Sequence, residues 1–464
     1  MRLQILNEVF FKLQFNINDY NSYYFVGIGG ISMSSLALIL KRSGKNVKGY
    51  DRSRSDATQS LEAEGITVYY ETTKDNCKGC DIAVFTAAIA ADNPEMKYIK
   101  EAGIPAISRA ELLGAIAKEY PNSIAVAGTH GKSTTCGILS QIFLSFKEAD
   151  PSILIGARLP SIHSTFRTGH DGTFVFEACE YKDAFLKFFP TVSVVLNVEL
   201  DHIDYFHSLK EMEHSFQSFI GNTAENGCVV VNKDSTHAIE CMEGYGRKFY
   251  TYSIVDSSAD FYAKDIRFDH GLPSYTLVFK GREVFRAELS IPGEHNISNS
   301  LAAVAAAFIS KVPDEAILKG LKDFRGVGRR FEYKGTVGGA LIYDDYAHHP
   351  DEIRATLAAA RNMDVKRIIS VFQPHTFSRL HALFDDFATA FEDADVKVFA
   401  DVFAAREENI YGVSSAALAE KAGGLYFDSF EGIADFVKKN ATEGDIVIFM
   451  GAGDIYKAGK LLFD

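Results

Sequence analysis

Apolar runs recur at short intervals along this chain, and most are followed by glycines or polar residues before helical spacing sets in. The first, "YYFVGIGG" (residues 23–30), reads as a strand ending in a glycine turn. "ISMSSLALILKRSG" (31–44) then reads as a helix stopped by Gly44, and "NVKGYD" (46–51) as the next strand. A further strand, "DIAVFTAAI" (81–89), precedes "DNPE". This βαβ pattern closes at "KEYPNS", where Pro121 and Asn122 punctuate the chain.

The alternation restarts with the strand "SIAVAG" (123–128) and a helix from Lys132, followed by the β-rich runs "TFVFEACE" and "TVSVVLNVELDH". From about 249 to 290 short alternating strands predict an antiparallel insertion or flank, and "HNISNSLAAVAAAFISK" predicts a helix. After the basic, glycine-rich "FRGVGRRFEYKG" come "GALIYDDY", a helix after Pro350, "RIISVFQPH", "VKVFADV" and "DIVIFMGAGDI". Strands alternating with helices predict parallel sheets. The expected fold class is therefore α/β in three domains: an N-terminal Rossmann-like domain (1–121, with residues 1–20 an extension), a central P-loop ATPase domain (122–332) and a C-terminal Rossmann-like domain (333–464). A length of 464 residues agrees, at roughly 150 residues per domain.

Composition narrows the class. With 47% hydrophobic and 23% charged residues the chain is neither disordered nor fibrous. A formal charge of −13 argues against nucleic acid as a partner, which demands a basic face. No apolar run approaches the ~20 residues of a membrane helix. The N-terminal segment is interrupted by Arg2, Gln4, Asn7, Glu8 and Lys12 and lacks a cleavage site. Six cysteines without framework spacing suit a reducing compartment, and Cys77 and Cys80 read as chance spacing. A cytoplasmic protein without membrane insertion, monomeric or weakly dimeric, is expected.

Two glycine loops carry the chemistry. "GIGGIS" is a dinucleotide-type fingerprint with Ser32 in place of its third glycine and Asp51 at the end of the next strand, where a ribose-binding acid stands; backbone amides there accept a diphosphate. "VAGTHGKSTTC" keeps Gly128, Gly131, Lys132 and Ser133 of a phosphate loop but has Val126 where the leading glycine belongs. A Lys for the phosphates and a hydroxyl for Mg²⁺ are both present. Glu177 and Glu180, at or beyond a strand end, are candidate metal carboxylates, and His202 ends another strand. In "YDDYAHHPDE", Asp344, Asp345, His348 and His349 invite a metal reading, for which helix capping is the plainer account. His375 and Arg379 enter a helix where a carboxylate could be gripped.

In order along the chain, "FVGIGGISMS", "DNPE", "GTHGKSTT", "FEACEY", "LNVELDH", "GEHNISNSLAA", "GVGRRFE", "YDDYAHHP", "FQPHTFSR" and "GAGDI" resemble the motifs of the Mur ligases, the ATP-dependent amino-acid ligases of peptidoglycan synthesis. The likeness is to the branch that joins L-alanine to UDP-N-acetylmuramate. It implies that Gly27, Gly29, Gly30, Asp51 and Thr86 bind the sugar nucleotide. ATP would meet Gly128, Thr129, His130, Gly131, Lys132, Ser133 and Thr134, with His295, Asn296, Asn299, Arg330 and Asp345. Two Mg²⁺ ions are implied, one on Ser133 and Glu177, the other on Glu177 and His202. His348, His375 and Arg379 would position alanine, His348 being counted with Lys132, Glu177 and His202 as catalytic.

The implied reaction phosphorylates a carboxylate to an acyl phosphate, which the amine of alanine then attacks. Two departures from the family pattern are Ser32, where glycine is usual, and Ser133, where threonine is common and the hydroxyl is kept. Related ligases use a carbamylated lysine on the second metal; none is expected here, since no lysine lies between Lys210 and Lys233. The alternatives are a ligase that recycles a tripeptide onto the same sugar nucleotide, and a nucleotide-binding relative without turnover.

Overall fold

The computed structural model describes residues 15–86, 89, 92–202, 205–405 and 407–463. Most of the expected N-terminal extension lies outside them. The chain separates into two compact units, one formed by the chain up to Tyr262 with Ala302–Gly320, the other by Ala263–Leu301 with the chain from Leu321 onward.

The first unit carries two sheets. Strands β1 (Ser22–Val26), β2 (Asn46–Tyr50), β3 (Thr67–Tyr69), β4 (Ile82–Phe85) and β5 (Ala106–Ser108) form a sheet of order β3-β2-β1-β4-β5. Every pairing in it is parallel, so each connection must cross over, and helix α1 (Ile31–Arg42) makes the first crossing. The order reverses at β1, whose carboxyl end is where open sheets of this type bind ligands.

The central sheet uses β6 (Asn122–Ala127), β7 (Ser152–Leu159), β8 (Ser164–Arg167), β9 (Thr173–Glu177), β10 (Val192–Val195), β11 (Cys228–Asn232), β12 (Phe249–Ser253) and β13, which starts at Phe261, in the order β13-β12-β11-β10-β6-β9-β7-β8. Val126 is fully buried in β6 between Glu177 of β9 and Val194 of β10. It belongs to the strand, which is why a glycine is not needed there. Helix α2 (Lys132–Ser145) follows the loop, and Gly320 lets a later helix pack on it: a Cβ there would stand 2.4 Å from the Ile142 Cα. One apolar cluster runs from Tyr23 and Phe25 through Leu113 to Phe176 and Phe216.

The expected antiparallel flank begins later than its pattern suggested. β12 pairs parallel with both β11 and β13, and the antiparallel hairpin is β14 (Leu272–Phe279) with β15 (Arg282–Glu288). The turn between them uses Lys280 and Gly281, both at positive φ, as a two-residue hairpin requires.

The second unit contains that hairpin and a sheet of order β16-β17-β21-β18-β19-β20, with β16 (Glu332–Val337), β17 (Ala340–Asp345), β18 (Arg367–Phe372), β19 (Val396–Ala400), β20 (Leu425–Phe427) and β21 (Asp445–Met450). Only β16 runs antiparallel to its neighbour. The residues of helix α3 (His295–Ile309) belong to the second unit up to Leu301 and to the first from Ala302, and α4 (Pro350–Arg361) follows β17. Among the described residues no helix is long and apolar enough to cross a membrane.

Candidate functional site

In the first glycine loop Gly27 sits at φ +85°, and a Cβ there would lie 2.9 Å from Thr86 Cγ2. The Gly27 and Ile28 amides donate to the Tyr50 carbonyl at 2.8 and 2.9 Å. Gly29 N–H donates to Asp51 Oδ2 at 2.8 Å, the atom that a Gly29 Cβ would meet at the same distance. Gly30 caps α1 without any side-chain hydrogen bond, so the first-turn amides remain for a ligand. The five residues assigned to the sugar nucleotide are thus brought together, with Asp51 acting as the latch of the loop.

In the second loop Gly131, at φ +83°, caps α2, again with no side-chain cap. Gly128 is at φ +150°, and a Cβ there would reach 2.8 Å from Leu196 Cβ. The loop is braced from the segment after β10: His130 N–H donates to Asn197 Oδ1 at 2.7 Å, and Thr129 Oγ1 donates to the Glu199 carbonyl while accepting from the Glu199 amide. Asn197 and Glu199 were not singled out in the sequence, although both stand in the polar end of an apolar run.

Lys132 turns back over the loop. Its Nζ donates to the carbonyls of Gly128 and Thr129 and to both carboxylate oxygens of Glu180, at 3.1 and 3.0 Å. Glu180 is fully buried. Burial opposes the charge on each partner, yet their attraction prevails: Lys132 is held above its ordinary pKa and Glu180 below, the latter helped by a bond to His202. His202 Nε2 lies 3.5 Å from Glu180 Oε1 and its ring packs against Tyr181 at 4.7 Å. His202 takes φ +52°, a backbone state a non-glycine residue adopts only when its surroundings hold it.

The carboxylate that touches both Lys132 and His202 is therefore Glu180. Glu177, the last residue of β9, accepts the Gly156 amide at 2.6 Å instead. Sequence distance alone does not separate the two, since both leave the same strand.

In the second unit, His295 starts α3 near Arg330. Desolvation by the surrounding protein, then that guanidinium, lower its pKa to about 4, while the residue as a whole keeps exposed surface. Asn299 Nδ2 donates to Asn296 Oδ1 at 3.1 Å, and Asn296 Nδ2 to the Pro292 carbonyl. Arg330 lies over the Tyr346 ring at 5.1 Å, with Glu352 at 3.8 Å. The Asp345 carboxylate accepts the Phe331 and Ala347 amides at 2.6 and 2.7 Å. Its neighbour Asp344 pairs with Arg329 at 3.5 Å, and burial, opposed by Arg329, raises it to about 7. The two aspartates meet different backbone and charge partners, Asp344 Oδ1 being buried without a hydrogen bond, and His349 caps α4, as the helix-capping account of "YDDYAHHPDE" expects.

His348 Nδ1 is tied to the Tyr346 carbonyl at 3.0 Å and Glu352 at 3.1 Å. Its ring meets His375 edge-on at 5.9 Å, and His375 stacks on Phe403. Arg379 lies 3.5 Å from His375 Nδ1. Burial, then the charges of His348 and Arg379, lower His375 to about 4, so it is neutral at pH 7. The three residues assigned to alanine form one cluster beyond the carboxyl ends of β17 and β18.

Comparison with known proteins agrees over nearly the whole chain. Residues 22–121 match the "Mur ligase family, catalytic domain", 126–307 the "Mur ligase middle domain" and 329–453 the "Mur ligase, glutamate ligase domain". The UDP-N-acetylmuramate--L-alanine ligase of Agathobacter rectalis is 46% identical over 444 residues, 94% of this chain and 96% of that one. Its namesake from Acetivibrio thermocellus is 43% identical and covers 96% of both. Among solved structures, UDP-N-acetylmuramate-alanine ligase MurC from Thermotoga maritima shares the fold with a TM-score of 0.80 at 24% identity, covering 95% of this chain and 98% of that one. A murein peptide ligase from Psychrobacter arcticus shares it with a TM-score of 0.68 at 23% identity and the same coverage. The chain belongs to the Mur ligase family.

Proposed function

We propose that this chain joins the lactyl carboxylate of UDP-N-acetylmuramate to the α-amine of L-alanine with ATP as the driving substrate, giving UDP-N-acetylmuramoyl-L-alanine, ADP and phosphate in peptidoglycan synthesis. The observation that carries this reading is the Lys132 ammonium, held at the mouth of a phosphate loop by Glu180 with His202 beside it. The named function of relatives at 40–46% identity supplies the substrates.

A carboxylate is a poor acyl donor because oxide would have to leave. Attack of a carboxylate oxygen on the γ-phosphorus expels ADP and leaves an acyl phosphate. The alanine nitrogen then attacks the acyl carbon, inorganic phosphate departs with the bonding pair, and the nitrogen sheds a proton. Lys132 and the loop amides stabilise charge on the phosphoryl group. With its Nδ1 tied, His348 would offer Nε2 to the amine, and neutral His375 with Arg379 would grip the alanine carboxylate.

The donors present suit a divalent cation: the Glu180 carboxylate and His202 imidazole stand together, and the Ser133 hydroxyl opens α2. Bound Mg²⁺ would neutralise phosphate charge. The geometry favours Glu180 over Glu177 beside His202; that two ions bind stays part of the proposal. So do the functional segments 1–121, 122–332 and 333–464, the sugar-nucleotide role of Gly27, Gly29, Gly30, Asp51 and Thr86, and the nucleotide role of His295, Asn296, Asn299, Arg330 and Asp345.

The test follows phosphate release from ATP and Mg²⁺ with UDP-N-acetylmuramate and, separately, L-alanine, L-serine, glycine or the tripeptide. Release requiring both the sugar nucleotide and L-alanine is expected. Preference for the tripeptide would replace the reading with the recycling ligase, and no release with any acceptor would overturn it.

A further inference from the structure

Arg109 occupies the first helical position of Arg109–Lys118, capped by Ser108. A cation at a helix N-terminus faces the positive end of the macrodipole, so stability does not favour it there. Nor does local pairing: its guanidinium donates to Ser32 Oγ at 3.0 Å, and none of the described carboxylates pairs with it. It is half-buried, and the loss of water around it lowers its pKa. Ser32 is the residue standing in the first glycine fingerprint where the third glycine belongs.

The helix itself is fixed. Gly114 approaches so closely to the turn at Lys187 that a Cβ would fall 2.0 Å from the Lys187 carbonyl oxygen, and Leu112, Leu113 and Ile116 are buried. Arg109 thus stands on a closely packed helix with its guanidinium on the first glycine loop. A desolvated fork of donors with one neutral acceptor is an oxyanion receptor awaiting its anion.

We propose that Arg109 binds an oxyanion of the sugar nucleotide, either the diphosphate or the lactyl carboxylate, on its way from the first glycine loop to the phosphate loop. The inference rests on the function proposed above and adds a binding residue to it. Ser32, in place of glycine, supplies the hydroxyl that aims the guanidinium.

Titration calorimetry of the full chain with UDP, UDP-N-acetylglucosamine, UDP-N-acetylmuramate and ATP tests it in wild type, Arg109→Ala and Arg109→Lys. Arg109→Ala should bind UDP-N-acetylmuramate about 10–100-fold more weakly with ATP affinity unchanged, and Arg109→Lys should recover part of the loss. Equal weakening for UDP and UDP-N-acetylglucosamine assigns the diphosphate; weakening confined to UDP-N-acetylmuramate assigns the carboxylate. Unchanged affinity for all three, or an equal loss of ATP affinity, overturns the inference. Should Arg109→Ala fail to fold, Arg109→Gln and the KM for sugar nucleotide against that for ATP carry the same decision. Wild-type protein that neither binds UDP-N-acetylmuramate nor releases phosphate would instead sink the parent reading.

Discussion

The two glycine loops of the first unit start alike and end differently. Each follows a buried parallel strand, caps a helix with a glycine and leaves first-turn amides without a side-chain cap. The first is then latched by an acid: Asp51 takes the Gly29 amide. The second is closed by a cation, as Lys132 spans the Gly128 and Thr129 carbonyls and the buried Glu180. A diphosphate that is only held needs amides and a helix end. A phosphoryl group that is transferred needs a charge able to follow it, and that charge must be stored somewhere in the free protein. Glu180 is where it is stored.

The largest effect should come from removing that charge. Lys132→Ala should lower phosphate release by at least about 10²–10³-fold while UDP-N-acetylmuramate affinity, by calorimetry, stays nearly intact. A large fall in sugar-nucleotide affinity would mean that the loops are not separate binding elements.

Next comes the choice of carboxylate. Glu180→Gln should reduce kcat more than Glu177→Gln, and it should destabilise the fold, since losing one partner of a buried pair costs about 3–5 kcal/mol at the upper end. If Glu177→Gln is the more damaging, Glu177 holds the metal and the Glu180 arrangement is not the working one.

The same pair makes the second loop pH-sensitive. Glu180 is depressed below its ordinary value of 4.5, so its contribution is full above that value and is lost as pH falls through the lower folded pKa. Chemical denaturation at stepped pH should show wild type and Glu180→Gln converging below pH 4.5. A constant gap would contradict the ion pair.

Gly29→Ala should weaken sugar-nucleotide binding about tenfold and leave ATP binding alone, because its Cβ would collide with the Asp51 carboxylate 2.8 Å away. Smallest of all should be Asp51→Asn, where an amide oxygen can still accept from Gly29; less than about fivefold in sugar-nucleotide affinity is expected.

Much of this was legible early. Val126 looked like a defect in the phosphate loop and is a strand residue, readable from the apolar run it belongs to. Helix capping by the Asp and His residues before Pro350 was expected, and His349 is the residue that caps α4. The parallel pairing of β12 was not legible, because a half-buried strand beside a hairpin alternates in the same way whichever direction its neighbour runs. Asn197, Glu199 and Arg109 were missed for a related reason: each bonds to a loop distant in sequence, and even inside the quoted "LNVELDH" nothing local says which loop Asn197 and Glu199 brace.

The sequence by itself determined where the chain turns, which glycines open the two loops, that a lysine and hydroxyl begin the second helix, and the family. These depend on sterics and hydrogen bonds among residues a few places apart, which the order of side chains sets directly. Only the tertiary structure decided that Glu180 and not Glu177 meets Lys132 across 48 positions, that Asp51 folds onto its own loop, and that Arg109 meets Ser32 with no acid among the described residues beside it. Such partnerships are fixed by the register of parallel strands and the turns that follow them, and a burial penalty then selects the one charge pairing the packing allows.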